Sequence, residues 1–153
     1  MKKILLAGYY GFGNLGDEAI LEMAINQILE ITDRKNITVL SGNKEATKNK
    51  YDVNTIDRYN VFSIFYRLVK SDAIVFGGGS LLQDITSKRS IYYYLFLIRI
   101  AKITGNKIIM LSQGIGPIVN KNSKRAVERT LGRVDYITVR DKHSKEFLEG
   151  IGM

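Results

Sequence analysis

Gly8-Tyr-Tyr-Gly-Phe-Gly-Asn-Leu-Gly-Asp-Glu-Ala-Ile-Leu21 follows the apolar run Ile4 to Ala7 and leads into the amphipathic run Ile20 to Ile31. A strand, a glycine-rich turn and a helix in this order bring backbone N–H groups to one point, where a helix N-terminus adds partial positive charge. The place suits an anion. Gly11, Gly13 and Gly16 also spell Gly-x-Gly-x-x-Gly, so a dinucleotide reading has to be weighed. That reading needs its first glycine directly after the strand and an acidic residue at the end of the second strand for the ribose. Here two tyrosines precede Gly11, the second strand Ile37 to Leu40 ends in Ser41-Gly42-Asn43, and Asp17 and Glu18 oppose a pyrophosphate on that helix end. The dinucleotide reading therefore fails its own context. Asn14 can cap the helix with Asp17 at the third helical position, so capping explains these acids about as well as chemistry does.

The chain has 153 residues, an apolar fraction of 45% and charged residues at 25%, which suits one globular domain with a substantial core. It has no cysteine, which excludes disulfides and thiolate metal sites and makes a reducing cytoplasm the expected compartment. Met1-Lys-Lys-Ile-Leu-Leu-Ala-Gly begins like a signal sequence, but its apolar run is short and reads as a buried first strand. Ile91 to Ile98 is the most apolar stretch, and Arg99 and Lys102 cut it far short of the roughly 20 residues that span a bilayer. The net charge of +8 favours anionic partners, although Lys44 to Lys50 and Lys121 to Arg129 read as solvated helix faces.

Further along, Val53 to Ile56 is a β-branched run, and Val61 to Val69 places Val61, Ile64, Phe65 and Leu68 on one helical face. Ala73 to Phe76 and Ile108 to Leu111 are continuous apolar strands, as a parallel sheet covered on both faces requires. Between them Ser90 to Ile103 has the length of a crossover helix, with Tyr92, Tyr93 and Tyr94 read as packing residues. Ser123 to Leu131 is a further helix, Tyr136 to Val139 the last strand, and Asp141 can cap a helix over Lys142 to Leu148. The alternation predicts an α/β fold: a doubly wound, mostly parallel, Rossmann-like sheet of about six strands with helices on both faces.

Such sheets bind ligands at the carboxyl ends of their strands. One edge would then carry the first glycine loop, Gly77 to Ser80 with Gln83 and Asp84, Gln113 to Pro117, and Arg140-Asp141. Asp17, Glu18 and Asp84 are the acids available there for catalysis, and each could instead hold hydroxyls of a sugar. Gly11, Gly13, Asn14, Gly16, Gly78, Gly79, Ser80, Gln83, Gln113, Gly114 and Arg140 are candidate substrate contacts, although glycines also simply make strand-to-helix turns. Arg140 competes with a local ion pair to Asp141, and His143, the only histidine, reads as an exposed helix position.

At these residues the chain resembles the polysaccharide pyruvyltransferase family, most of all its CsaB type. The resemblance rests on Gly8 to Leu21, Gly77-Gly-Gly-Ser-Leu-Leu-Gln-Asp84 with Thr86-Ser87, Gln113-Gly-Ile-Gly-Pro117, and Val139-Arg-Asp141 with Ser144, in family order. It implies transfer of pyruvyl from phosphoenolpyruvate to a cell-wall sugar such as N-acetylmannosamine, forming a cyclic ketal, with no cofactor and no metal. It further implies a two-domain, GT-B-like enzyme. The chain would supply the N-terminal half, the C-terminal domain being absent whether the chain is a piece of a longer protein or naturally short. The family's histidine would lie in that other half, so the isolated half is expected to be inactive. Expected partners are phosphoenolpyruvate and a polysaccharide or lipid-linked precursor, with no nucleic acid; peripheral association with the inner membrane face and a homodimer are further expectations. Two rival readings stay open at this point. One is a sugar-nucleotide-binding half of a GT-B-type glycosyltransferase, and the other is a non-enzymatic basic module for anionic polymer.

Overall fold

Ile4–Ala7 forms β1, and all four side chains are buried. Alternate residues of a strand face opposite sides, so Leu5 and Ala7 enter one hydrophobic cluster while Ile4 and Leu6 enter another across the sheet. That two-sided burial makes β1 the centre of the fold in the computed structural model, which describes residues 2–85 and 87–153. Thr86, one of the residues quoted for the resemblance, lies outside the described residues.

The chain continues as α1 (Leu15–Ile28), β2 (Ile37–Ser41), α2 (Lys44–Tyr51), β3 (Asn54–Asp57), α3 (Val61–Val69), β4 (Ala73–Phe76), β5 (Gly79–Leu82), α4 (Lys88–Ile103), β6 (Lys107–Ile115), α5 (Lys121–Leu131), β7 (Tyr136–Val139) and α6 (Lys142–Gly150). The strands make one seven-stranded sheet in which every ladder is parallel. Ile4 pairs with Ile37 on one side and Ala73 on the other, and β3 forms the edge beyond β2. β4 and β5 pair with successive parts of β6, Ala73 opposite Lys107 and Gly79 opposite Gln113. At Ile109 and at Gln113 β7 holds the opposite side of β6, so β4 and β5 share one edge, as one strand broken at Gly77-Gly78.

α1 and α2 cover one face, through Leu21, Ile25, Ile28 and Tyr51. α3, α4 and α5 cover the other, through Ile64, Leu68, Leu97, Ile98, Val127 and Leu131. Each such side chain contributes roughly 1.5–3 kcal/mol when fully buried. Asparagines start four helices: the side chains of Asn14, Asn43, Asn60 and Asn120 accept N–H groups of α1, α2, α3 and α5, and Asp141 does the same for α6.

Two local expectations change. Ser112 to Ile115 is not a loop but the continuation of β6, which passes through a bulge at Ser112, where φ is +48°. The bulge sits against the Gly77-Gly78 break, where a Cβ on Gly78 would come within 3.2 Å of the Ser112 carbonyl oxygen. Two broken strands thus fit each other, and Gln113 Nε2 donates to the carbonyls of Phe76, Gly77 and Leu111 across the joint. In α3, only Ile64 and Leu68 are buried; Val61 and Phe65, expected on the same inward face, are exposed.

Candidate functional site

The carboxyl edge of the sheet is where the unusual residues converge. The loop from β1 to α1 closes on the next turn: Gly42 N–H donates to the Tyr10 carbonyl, and Gly11, at φ +80°, lies so near Ser41 and Asn43 that a side chain there would collide with them. Gly11 N–H donates to Glu18 Oε1 at 2.8 Å, and Glu18 Oε2 accepts from the Tyr51 hydroxyl at 3.1 Å. Glu18 therefore spends its carboxylate on holding the glycine loop, in the position a pyrophosphate would need. Asn14 Oδ1 accepts the Gly16 N–H at 3.0 Å, as the capping reading expected. Gly13 has φ +74° and open space around it.

Asp17, one residue before Glu18, has no hydrogen bond to another described residue. It is half-buried and lines a cavity of about 430 Å³ with Tyr9, Asn14, Ser80, Gln83 and Tyr94. Burial, with the charge of Glu18 next to it, holds its carboxyl above the usual carboxylate range. Beside Asp17, Gly79 has φ +107°, and a Cβ there would lie 3.7 Å from Asp17 Oδ1. Strand β5 begins at this glycine and turns Ser80 outward.

Arg140 follows β7 and reaches back over β6 to that serine, Nη2 donating to Ser80 Oγ at 2.7 Å. Its path needs Gly114, since a Cβ there would come within 3.0 Å of the guanidinium. Arg140 Nε stands 3.9 Å from Asp141, and both side chains are about half exposed, so this ion pair is weak. With Gly77, Gly78 and Gly79 the arginine lines a second cavity of about 250 Å³.

The other candidates sit elsewhere on the edge. Asp84 is buried, and its two carboxylate oxygens accept the N–H groups of Val119 and Asn120, fastening the entry to α5. Gln113 is fully buried, with its Oε1 unpaired among the described residues. Gln83 lines the cavity and accepts the Ile85 N–H. Ser144 Oγ accepts the buried N–H of Ile115 and so fixes α6 to the end of β6, while His143 is exposed on the same helix.

The residues from Asn14, the cap of α1, to Met153 match the family model for polysaccharide pyruvyl transferase. The chain belongs to the polysaccharide pyruvyl transferase family. The match takes in the cavity's carboxyl, both glycine-bearing stretches and Arg140, and leaves out β1 and the first half of the glycine loop. Family membership implies pyruvyltransferase activity. No curated protein and no solved structure matches the chain.

For a polysaccharide pyruvyl transferase the least expected feature is Arg58, which the sequence reading passed over. It follows β3, is 4% exposed, and donates to the Gly8 carbonyl at 3.1 Å and the Tyr94 hydroxyl at 3.3 Å. Instead of a carboxylate, the rings of Tyr9, Phe12, Tyr59, Tyr93 and Tyr94 surround its guanidinium, Tyr93 closest at 4.7 Å. Burial opposes its charge, but the phenols of Tyr94, Tyr93 and Tyr59 outweigh this and hold its pKa above the ordinary arginine value. Since Tyr9 and Tyr94 are walls of the Asp17 cavity, Arg58 sets the back of the site. The signal available in the sequence was the cluster of aromatics, which periodicity alone assigns to packing.

Proposed function

We propose that the cavity beside Asp17 is this chain's part of the site where pyruvyl passes from phosphoenolpyruvate to a polysaccharide sugar, of which N-acetylmannosamine is one candidate. The observation that carries the reading is a carboxyl of raised proton affinity, engaged by no other described side chain, facing a cavity that is also lined by Ser80, whose hydroxyl oxygen accepts from Arg140. Phosphoenolpyruvate offers a carboxylate and a phosphate, and a guanidinium fork pairs with either group.

In this reading protonated Asp17 delivers its proton to the methylene carbon, which becomes the methyl group of the product. A sugar hydroxyl adds to the adjacent carbon, forming the first C–O bond and returning its proton to Asp17. The bond from that carbon to the phosphate oxygen then breaks, and a second hydroxyl attacks to close the ketal. Its proton leaves with the phosphate. A carboxyl with a raised pKa is suited to both halves of this exchange. Glu18 and Asp84, whose oxygens are engaged by Gly11, Tyr51, Val119 and Asn120, hold the loops rather than move protons.

The sugar-nucleotide alternative meets the same obstacle as the dinucleotide one, because Glu18 stands in the glycine loop where a pyrophosphate would be cradled. A calorimetric titration with phosphoenolpyruvate, beside a sugar nucleotide and an Arg140→Ala variant, separates these readings. The expected result is binding of phosphoenolpyruvate alone, weakened about tenfold or more by the variant, as loss of a charged hydrogen bond predicts. Binding of the sugar nucleotide, or phosphoenolpyruvate binding indifferent to Arg140, overturns the proposal.

A further inference from the structure

The helices on the two faces of the sheet differ in charge. α3, α4 and α5, which share one face, contain nine lysines and arginines and a single acid, Glu128. α1 and α2, on the other face, contain three lysines and four acids. No aspartate or glutamate occurs from Arg58 to Ser71 or from Ile85 to Val127. The net charge of +8 is therefore a property of one side of the molecule.

The same side exposes large apolar groups where cations alone would be expected. α3 turns Ile64 and Leu68 inward, yet Phe62 is 91% exposed and Tyr66 65%, with Phe65 and Val69 also outside. On the adjoining α4, Tyr92, Phe96 and Ile103 are exposed at spacings of four and seven residues, which places them along one stripe. A helix apolar on its solvent side as well as its core side is covered by something in use.

We infer that the α3–α4 face, with the cations of α5 beside it, docks the protein on a bilayer containing anionic phospholipid. Phenyl, tyrosyl and aliphatic groups among lysines and arginines are the composition of a surface whose apolar part enters the acyl boundary while its cations meet headgroup phosphates. A second copy of this chain is disfavoured as occupant, since a two-fold contact would set the same cations against themselves. Nucleic acid would make use of the cations but of neither Val69 nor Ile103. The candidate site opens at the carboxyl edge of the sheet rather than on this face, so docking leaves it accessible. The inference rests on surface charge and exposure alone and does not depend on the proposed chemistry.

The test is flotation with vesicles of phosphatidylcholine alone and of phosphatidylcholine with about one-third phosphatidylglycerol. The native chain is expected to float only with the anionic vesicles, and less at high salt. Phe62→Ser with Phe65→Ser, both exposed positions, should reduce partitioning at least tenfold. Arg99→Gln and Lys102→Gln should each reduce it about fivefold, and Lys48→Gln, on the opposite face, should leave it unchanged. Circular dichroism checks that each variant keeps its fold. No flotation, equal flotation with neutral vesicles, or flotation untouched by the phenylalanine variant overturns the inference. A dimer or a complex with an acidic protein that the phenylalanine variant dissolves also overturns it.

Discussion

Asp17 is costly to the fold when it is ionised. Its folded pKa is raised, so its contribution to stability is present below the unfolded value, about 3.9, and is lost as the pH rises through the folded value. Ionised, the carboxylate sits half-buried without a donor among the described residues. Asp17→Asn should therefore raise the melting temperature at pH 7 and lose that advantage below about pH 4. An equal shift at every pH would mean that charge is not the cause. Tyr10 makes a complementary case in packing. Its buried hydroxyl has no well-formed hydrogen bond among the described residues; its ring lies over Gly8 and its hydroxyl against Gly77, so closely that a Cβ on either would collide with it. Gly77→Ala should cost about 1–3 kcal/mol in urea unfolding, and Tyr10→Phe, nearly neutral alone because no bond is broken, should recover part of that loss. If Tyr10→Phe instead deepens the loss, the contact is not steric. In the sequence Gly8 and Gly77 simply follow the first and fourth strands; nothing local in the chain says that a tyrosine three positions from the first strand will lie on both.

At the scale of elements, the helices and most strands were legible because their signals are local. Asn14 and Asp141 cap the helices assigned to them, and Ile4 to Ala7, Ala73 to Phe76 and Tyr136 to Val139 are strands as read. The joint between β4, β5 and β6 was not legible, since it depends on two irregular strands fitting each other: a break at Gly77-Gly78 and a bulge at Ser112. Gln113 closes that joint by donating to three carbonyls, so its amide hydrogens are what the joint requires. Gln113→Glu keeps the shape and sets a carboxylate against those oxygens. It should destabilise the protein by about 3 kcal/mol or more at neutral pH, as an uncompensated buried charge does, with partial recovery in acid where the carboxyl holds a proton. Thermal melts of the variant at two pH values decide this, and a loss that is the same at both would assign the role to shape instead of to donation.

For the whole molecule, the doubly wound class followed from alternating strands and helices, whereas the buried Arg58 and the charge difference between faces emerge only once the faces are assembled. The two hydrophobic clusters are separated by the sheet but not independent of it. β1 sends Leu5 and Ala7 into one and Ile4 and Leu6 into the other, and β4 likewise divides Ile74 and Phe76 from Val75. Neither face can lose its helices without uncovering strands that the other face packs against, which predicts one cooperative transition. The chain has no tryptophan, so tyrosine fluorescence is the tertiary probe, with Tyr10 in one cluster and Tyr94 in the other. Urea unfolding followed by that fluorescence and by far-ultraviolet circular dichroism should give coincident curves with a slope of about 1–3 kcal/mol per molar urea. Hydrogen exchange adds the resolution that bulk probes lack: amides of α1 and of α4, on opposite faces, should open with the same free energy. A lower opening free energy for α1 would show that the face bearing the acids and the glycine loop yields first. The candidate site would then be mobile against a sheet held rigid by α4.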